Sequence, residues 1–133
     1  MAEKKVVALS LTEAVAVKKD VVEDSLKKLL EKIKKERGVR VIKEKFHETT
    51  RLEKPSETIP EAFTQVMELE IEFESFKRTL EYVMLYGPSA LEIMEPNELR
   101  VSLSEAQELV NKLTSFMHTF AAAGVGGIVA MPK

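Results

Sequence analysis

The feature that most constrains the fold is a strict alternation of apolar and acidic residues over Met67–Glu74 (MELEIEFE). Neighbouring side chains of a β-strand point to opposite faces, so the apolar residues share one face and the glutamates share the other. The pattern predicts a strand with one buried face and one solvated face. The chain is therefore expected to contain a sheet that is covered on one side only.

Three more strands are predicted from short apolar runs, at Lys4–Leu9, Val39–Glu48 and Ser89–Glu95. The last run lies between Gly87-Pro88 and Pro96, residues that stop regular structure. Within it, Leu91 and Ile93 point to one face, and Ala90 and Glu92 point to the other. The polar segment Arg51–Pro60 contains two prolines and predicts a long loop.

Apolar spacing of three and four residues predicts three helices. A capping box at Ser10–Glu13 opens the first, which ends near Arg37 because Gly38 provides a left-handed C-cap. The second runs from an N-cap at Ser75 to Tyr86, and a capping box at Ser102–Glu105 opens the third. The predicted buried stripes are Leu11, Ala14, Val15, Val22, Leu26, Leu29 and Ile33 in the first helix, Phe76, Leu80, Val83 and Met84 in the second, and Ala106, Leu109, Val110, Leu113, Met117 and Phe120 in the third.

The predicted order is β-α-β-β-α-β, followed by a helix and an apolar tail. This is the order of a ferredoxin-like α+β fold, in which helices cover one face of an antiparallel sheet. A chain of 133 residues is expected to form a single domain, 1–133, with residues 119–133 as the tail. Because the chain contains no cysteine, thiol catalysis and cysteine-based metal sites are excluded.

The composition and the apolar runs predict the cellular location of the protein and the kind of organism it comes from. No apolar run approaches the roughly 20 residues of a membrane span, and Val6–Leu9 is too short for the core of a signal peptide. A cytoplasmic location without a membrane partner is therefore expected. Charged residues make up 32% of the chain, and asparagine and glutamine are rare, which is typical of proteins from thermophiles.

Residues 76–100 (FKRTLEYVMLYGPSALEIMEPNELR) resemble the C-terminal extension of WYL-domain bacterial transcriptional regulators. The matching positions are Tyr86, Gly87, the strand Ala90–Met94, Glu95, Pro96, Leu99 and Arg100. The Trp-Tyr-Leu signature of those regulators is missing, since the chain has no tryptophan. The resemblance implies a ferredoxin-like regulatory or oligomerisation module, not a DNA-reading protein or an enzyme, and it transfers no catalytic residue.

Charge is divided along the sequence, with a net charge of +5 over residues 18–45 and −5 over residues 48–81. Lys43, Lys45 and His47 alternate on the strand before the glutamate row and would lie opposite it in an antiparallel pair. Successive carboxylates of the row lie roughly 7 Å apart, too far for all of them to bind one cation. The row is therefore predicted to be a charge-paired, solvated face.

No catalytic, cofactor-binding or metal-binding residue is predicted. His47 and His118 lie in different elements, and neither has the helical partner of a zinc motif. Ser89 and Ser102 have no evident base, and Gly124–Gly127 lacks the sequence of a phosphate loop. A non-enzymatic role is expected. The alternative of a small enzyme requires a pocket that joins distant residues, such as His47 and a glutamate.

The apolar tail gives the main partner hypothesis. Ile128, Val129 and Met131 are predicted to add to an edge of the chain's own sheet or of a neighbouring subunit's sheet. A regulatory or assembly module that forms a homo-oligomer is expected. Its binding surface would combine the sheet edge, the Arg51–Pro60 loop and the tail, and could receive an unknown protein or a small ligand.

The alternative partner is nucleic acid, bound by the basic stretch 27–45. The contacts would be made by Lys27, Lys28, Lys34, Lys35 and Arg40. Ferredoxin-like sheets that bind RNA stack bases on aromatic side chains of their central strands, whereas this sequence has glutamates there. Because glutamates repel phosphates, nucleic acid is the less favoured partner.

Overall fold

A computed structural model describes residues 4–122 of the chain. These residues fall into two compact units, 4–98 and 99–122. Five strands and two helices lie in the first unit, and a third helix lies in the second. The strands are β1 (Val6–Ala16), β2 (Val39–Phe46), β3 (Thr50–Glu53), β4 (Glu61–Phe73) and β5 (Ala90–Glu95), and the helices are α1 (Lys19–Lys34), α2 (Phe76–Tyr86) and α3 (Leu103–Ala122).

The strands form one antiparallel sheet in the order β2-β4-β1-β5, with β3 paired to the first residues of β4. Strand β1 pairs with β4 along its whole length, from Val6 opposite Phe73 to Ala16 opposite Phe63. Strand β5 pairs with the first half of β1 only, and Leu11 opposite Ala90 is its last aligned pair. The predicted α+β class and antiparallel sheet are confirmed.

The core lies on one face of the sheet. The predicted alternation of β4 is confirmed, because its apolar residues are fully buried while the glutamates between them keep part of their surface in solvent. Helix α1 contacts β1, β2 and β4, and α2 contacts β4. The buried side chains of β4 are Met67, Leu69, Ile71 and Phe73, and those of α1 are Val22, Leu26, Leu30 and Ile33.

The first predicted helix begins too early. Ser10–Glu13 is not a capping box but part of β1, and α1 begins at Lys19 without a side-chain cap. The same residues satisfy a period of two, and as a strand they gain a backbone ladder with β4, so pairing overrides the local signal. Leu11, Ala14 and Val15 therefore belong to β1, and Leu30 replaces Leu29 in the buried stripe of α1.

Two other boundaries also differ from the sequence prediction. Helix α1 ends at Lys34, and Gly38, with φ of 75°, forms the turn into β2 instead of the helix cap. Strand β3 occupies the start of the segment predicted as a loop, so the connection to β4 shortens to residues 54–60. Pairing between β3 and β4 thus extends the sheet into a region that its prolines and polar residues mark as irregular.

The predicted caps of α2, the predicted N-cap of α3 and the stop after β5 are confirmed. Ser75 Oγ accepts a hydrogen bond from the Arg78 amide at 3.1 Å, and Ser102 Oγ accepts one from the Glu105 amide, also at 3.1 Å. Gly87 ends α2 in the left-handed conformation, with φ of 53°, as only glycine does without strain. Strand β5 ends directly before Pro96. Helix α3 continues to Ala122, so the first residues of the predicted tail, 119–122, are helical.

Helix α2 reaches the core through different side chains from those predicted. Its buried residues are Thr79 and Tyr82, while the predicted stripe of Phe76, Leu80, Val83 and Met84 is only half-buried. Thr79 Oγ1 donates to the Ser75 carbonyl at 3.0 Å, which satisfies its hydroxyl within the helix. Polar groups with internal partners can be buried at little cost, and hydrophobic spacing does not identify them.

Candidate functional site

The solvated face of the sheet carries the predicted charge pairing. In the register of β2 and β4, Lys43 lies opposite Glu70 and Lys45 opposite Glu68. His47 Nε2 lies 3.1 Å from Glu68 Oε1 at the end of the row. These pairs confirm that the basic strand opposes the glutamates, as the alternation of both segments predicts.

One carboxylate of this row receives two cations. Glu72 Oε1 lies 3.2 Å from Arg40 Nη2 on β2 and 3.5 Å from Lys5 Nζ, just before β1. Exposed pairs of this kind contribute about 0–1 kcal/mol each. Within residues 4–122, no group of three or more histidine and carboxylate side chains is placed to hold a metal ion. On the solvated face of the sheet, the glutamates of β4 therefore lie next to basic side chains of neighbouring segments.

The five basic residues of the nucleic-acid hypothesis do not form one surface. Four of them lie on α1 or at its end, on the covered face of the sheet, whereas Arg40 pairs with Glu72 on the opposite face. Lys28 Nζ lies 2.9 Å from Asp24, and Lys34 Nζ lies 2.9 Å from Glu44, whose hydrogen bond raises the pKa of Lys34. Acidic partners therefore reduce the positive potential that a phosphate backbone would meet.

The first residue of the predicted loop surface, Arg51, is held by internal ion pairs. Arg51 Nε donates to Glu61 Oε1 at 2.5 Å, and Arg51 Nη1 donates to Glu53 Oε1 at 3.0 Å. Hydrogen bonds to both carboxylates raise the pKa of Arg51. The guanidinium thus clamps β3 to β4 next to the loop of residues 54–60.

Two tyrosines join α2 to the rest of the first unit. Tyr82 OH and Ser10 Oγ form a buried hydrogen bond of 2.8 Å, and the Tyr82 ring meets Phe73 edge-on at a centroid distance of 5.2 Å. Burial raises the pKa of Tyr82, although the bond to Ser10 opposes that shift. Burial and a hydrogen bond to Glu36 raise the pKa of Tyr86 to about 12. These contacts are structural, because Ser10 and Tyr82 lie beneath the protein surface.

The exposed apolar surface of α3 was missed at the sequence level. Leu109 is buried, but the side chains of Leu103, Val110 and Leu113 are 86%, 57% and 45% exposed. At 100° per residue these three lie on one side of the helix. The spacing in the sequence marks Val110 and Leu113 as members of an apolar stripe, but it does not show that their side chains are exposed.

A second feature missed at the sequence level is the free end of β1. Strand β1 extends to Ala16, five residues beyond its last aligned pair with β5. Val15 and Val17 are both 57% exposed there. The remaining predicted contact residues, Ile128, Val129 and Met131, lie outside the described residues.

Comparison with known families adds one finding. The model of the MJ0538 family matches residues 7–133. The chain belongs to the MJ0538 family. The match includes residues of both compact units and the residues after α3. The resemblance of residues 76–100 to the extension of WYL-domain regulators stays a prediction.

No curated protein and no solved structure matches the chain. Among residues 4–122, no helix combines the length and the apolar character that crossing a membrane requires.

Proposed function

We propose that the protein is a non-enzymatic assembly module that forms a homo-oligomer through α3. The observation that supports this function is the exposure of Leu103, Val110 and Leu113 on one side of a helix of 20 residues. A helix of that length is about 30 Å long, and a continuous apolar strip on it favours docking against another helix. Contiguous exposed apolar surface of this kind is typical of interaction sites.

The partner in this proposal is α3 of a second copy, in antiparallel orientation. Glu105 and Glu108 lie in the first turns of the helix, and Lys112 and His118 follow them. Antiparallel pairing brings the acidic half of one helix beside the other half of its partner, and it aligns the helix dipoles favourably.

One antiparallel register satisfies the apolar side chains on both copies. With Val110 opposite the partner's Leu113, Leu103 lies opposite the partner's Phe120. The contact is isologous, so each of these pairs occurs twice across a two-fold axis.

The ferredoxin-like assignment belongs to this proposal. Two features support it: the sheet order β2-β4-β1-β5, and the helices α1 and α2 that connect β1 to β2 and β4 to β5. Every neighbouring pair in that order is antiparallel. The resemblance of residues 76–100 to a regulatory or oligomerisation module agrees with an assembly role.

The test is the mass of the intact protein in solution, measured by light scattering and native mass spectrometry. A charge in the strip, Leu113→Glu or Val110→Glu, is expected to abolish the α3 contact because it would bury an unpaired carboxylate. The matched control is Ser115→Glu on the polar side of α3, which should keep the wild-type mass. Circular dichroism checks that each variant folds. A wild-type monomer, or a Leu113→Glu variant with unchanged mass, would overturn the proposal.

A further inference from the structure

Strand β1 presents an unpaired edge beyond the end of β5. The Glu74 amide bonds to the Gly38 carbonyl at 3.0 Å, so even-numbered residues of β4 direct their backbone groups toward β2. The β1–β4 register then turns the even-numbered residues of β1 toward β4 and the odd-numbered ones away. Two contacts agree, since the Leu11 carbonyl and the Glu13 amide both bond to Ser89.

Among residues 4–122, the outward backbone groups of β1 past Glu13 have no hydrogen-bond partner. Within residues 4–122, nothing hydrogen-bonds to the Val15 amide, the Val15 carbonyl or the Glu13 carbonyl. A strand edge of this kind is a template for another strand, and natural proteins cover it or protect it with charge or proline. Here the sequence Ala14-Val15-Ala16-Val17 is apolar and contains two β-branched residues, which favour strand pairing.

We infer that this edge is a second self-association site, where β1 of one copy pairs antiparallel with β1 of another copy across a two-fold axis. With Val15 opposite the partner's Val15, two hydrogen bonds form between these residues. Glu13 lies opposite the partner's Val17, and its carbonyl faces the Val17 amide. The two sheets then continue into one.

Charge complementarity selects a second copy as the occupant. Glu13 precedes the apolar run, and Lys18 and Lys19 follow it. Antiparallel pairing centred on Val15 brings the acidic end of this segment in each copy, at Glu13, to the basic end of the other, at Lys18 and Lys19, whereas parallel pairing brings like charges together. The edge is therefore complementary to itself.

This interface rests on the proposed assembly function, but it uses none of the residues of α3. Two different two-fold interfaces on one subunit give a tetramer as the smallest closed assembly. The wild-type protein is then expected to have four times the mass of the chain.

The test variant is Val15→Pro. Proline removes the outward amide needed by the added strand, but that amide takes no part in the ladder with β4, so the sheet is kept. The matched control is Val15→Thr, which keeps the amide and the β-branched shape. Masses measured by native mass spectrometry are expected to halve in Val15→Pro and to stay unchanged in Val15→Thr, with equal circular dichroism.

A cross-link gives a second readout in the full chain. Directly opposed, hydrogen-bonded residues have Cα atoms about 5.5 Å apart, which suits a disulfide. Because the chain has no cysteine, Val15→Cys should form a covalent dimer on oxidation. Val21→Cys, an exposed position on α1, should not form one.

The two interfaces fail separately in these experiments. If only α3 pairs, the wild type is a dimer, Val15→Pro leaves it unchanged, and Val15→Cys does not cross-link, which overturns the β1 inference. If only β1 pairs, Val15→Pro gives a monomer and Leu113→Glu has no effect, which overturns the α3 proposal alone. Occupation of the edge by another part of the same chain would also prevent cross-linking, and it would refute the inference.

Discussion

The buried hydrogen bond between Ser10 and Tyr82 gives a sharp test of how α2 is held on the sheet. Ser10 is fully buried, Tyr82 is 2% exposed, and their hydroxyl oxygens lie 2.8 Å apart. Neither Tyr82→Phe nor Ser10→Ala changes the packing volume much, and phenylalanine at position 82 keeps the edge-on contact with Phe73. The effect of each change is therefore that of the hydrogen bond.

The magnitude follows from the burial of both hydroxyls. Each single substitution leaves one hydroxyl without a partner, which costs about 1–3 kcal/mol of the free energy of unfolding. We expect about 2 kcal/mol for each. The double variant leaves no unpaired group, so its cost should fall to the net value of a hydrogen bond, about 1 kcal/mol, instead of about 4. The coupling energy between Ser10 and Tyr82 is then about 3 kcal/mol.

The assay is urea unfolding of the four proteins, followed by circular dichroism at one protein concentration. A fixed concentration is needed because self-association makes apparent stability depend on it. An unchanged slope with urea confirms that the same surface unfolds in each variant. If the two single costs add in the double variant, the hydroxyls do not depend on each other, and the structural role given to this bond is refuted.

Three further predictions concern individual residues of the same unit. Gly38→Ala and Gly87→Ala should each lose about 1 kcal/mol of unfolding free energy in urea melts, because both glycines have positive φ. The Cβ added at position 38 meets only side-chain atoms of Glu74 and Arg78 that can move away, so a much larger loss at Gly38 than at Gly87 would contradict this. Ser75→Ala should cost about 1 kcal/mol of unfolding free energy through loss of the N-cap, and Ser75→Thr, which keeps a hydroxyl acceptor without adding a charge at this buried position, should lose less. The pKa of Tyr86 is about 12 in the folded protein and 10.0 ordinarily, so the stability that its phenol contributes is complete below pH 10 and declines toward pH 12. In Tyr86→Phe, the free energy of unfolding should fall less steeply between pH 10 and pH 12 than in the wild type. An unchanged pH dependence would contradict the raised pKa.

Local patterns in the sequence were sufficient where the deciding interaction is local. The alternation over Met67–Glu74 gives the buried face of β4, and the caps at Ser75, Ser102 and Gly87 depend on residues within one turn. The opposition of basic and acidic strands was also accessible, because both strands carry their charges with a period of two.

The structure differs from the sequence predictions where contacts between residues distant in sequence determine the local conformation. Ser10–Glu13 fits a helix cap by itself, but its pairing partners in β4 lie more than fifty residues later. The unequal lengths of β1 and β5 likewise result from pairing that a local window does not contain. For α3, the apolar stripe was evident in the sequence, whereas the exposure of Val110 and Leu113 is a property of the folded chain.

The regular charges of β2 and β4 have a consequence for strand alignment. The two lysines of β2, Lys43 and Lys45, face a run of three alternating glutamates in β4, so a slide of two residues toward Glu72 keeps both lysine–glutamate pairs and a slide the other way keeps one. The electrostatic attraction between the two strands therefore distinguishes only weakly between these alignments. Features that break the repeat distinguish one alignment from the others: the irregularity between Val41 and Lys43, the hydrogen bond of 3.0 Å from the Glu74 amide to the Gly38 carbonyl, and the packing of the buried side chains on the other face.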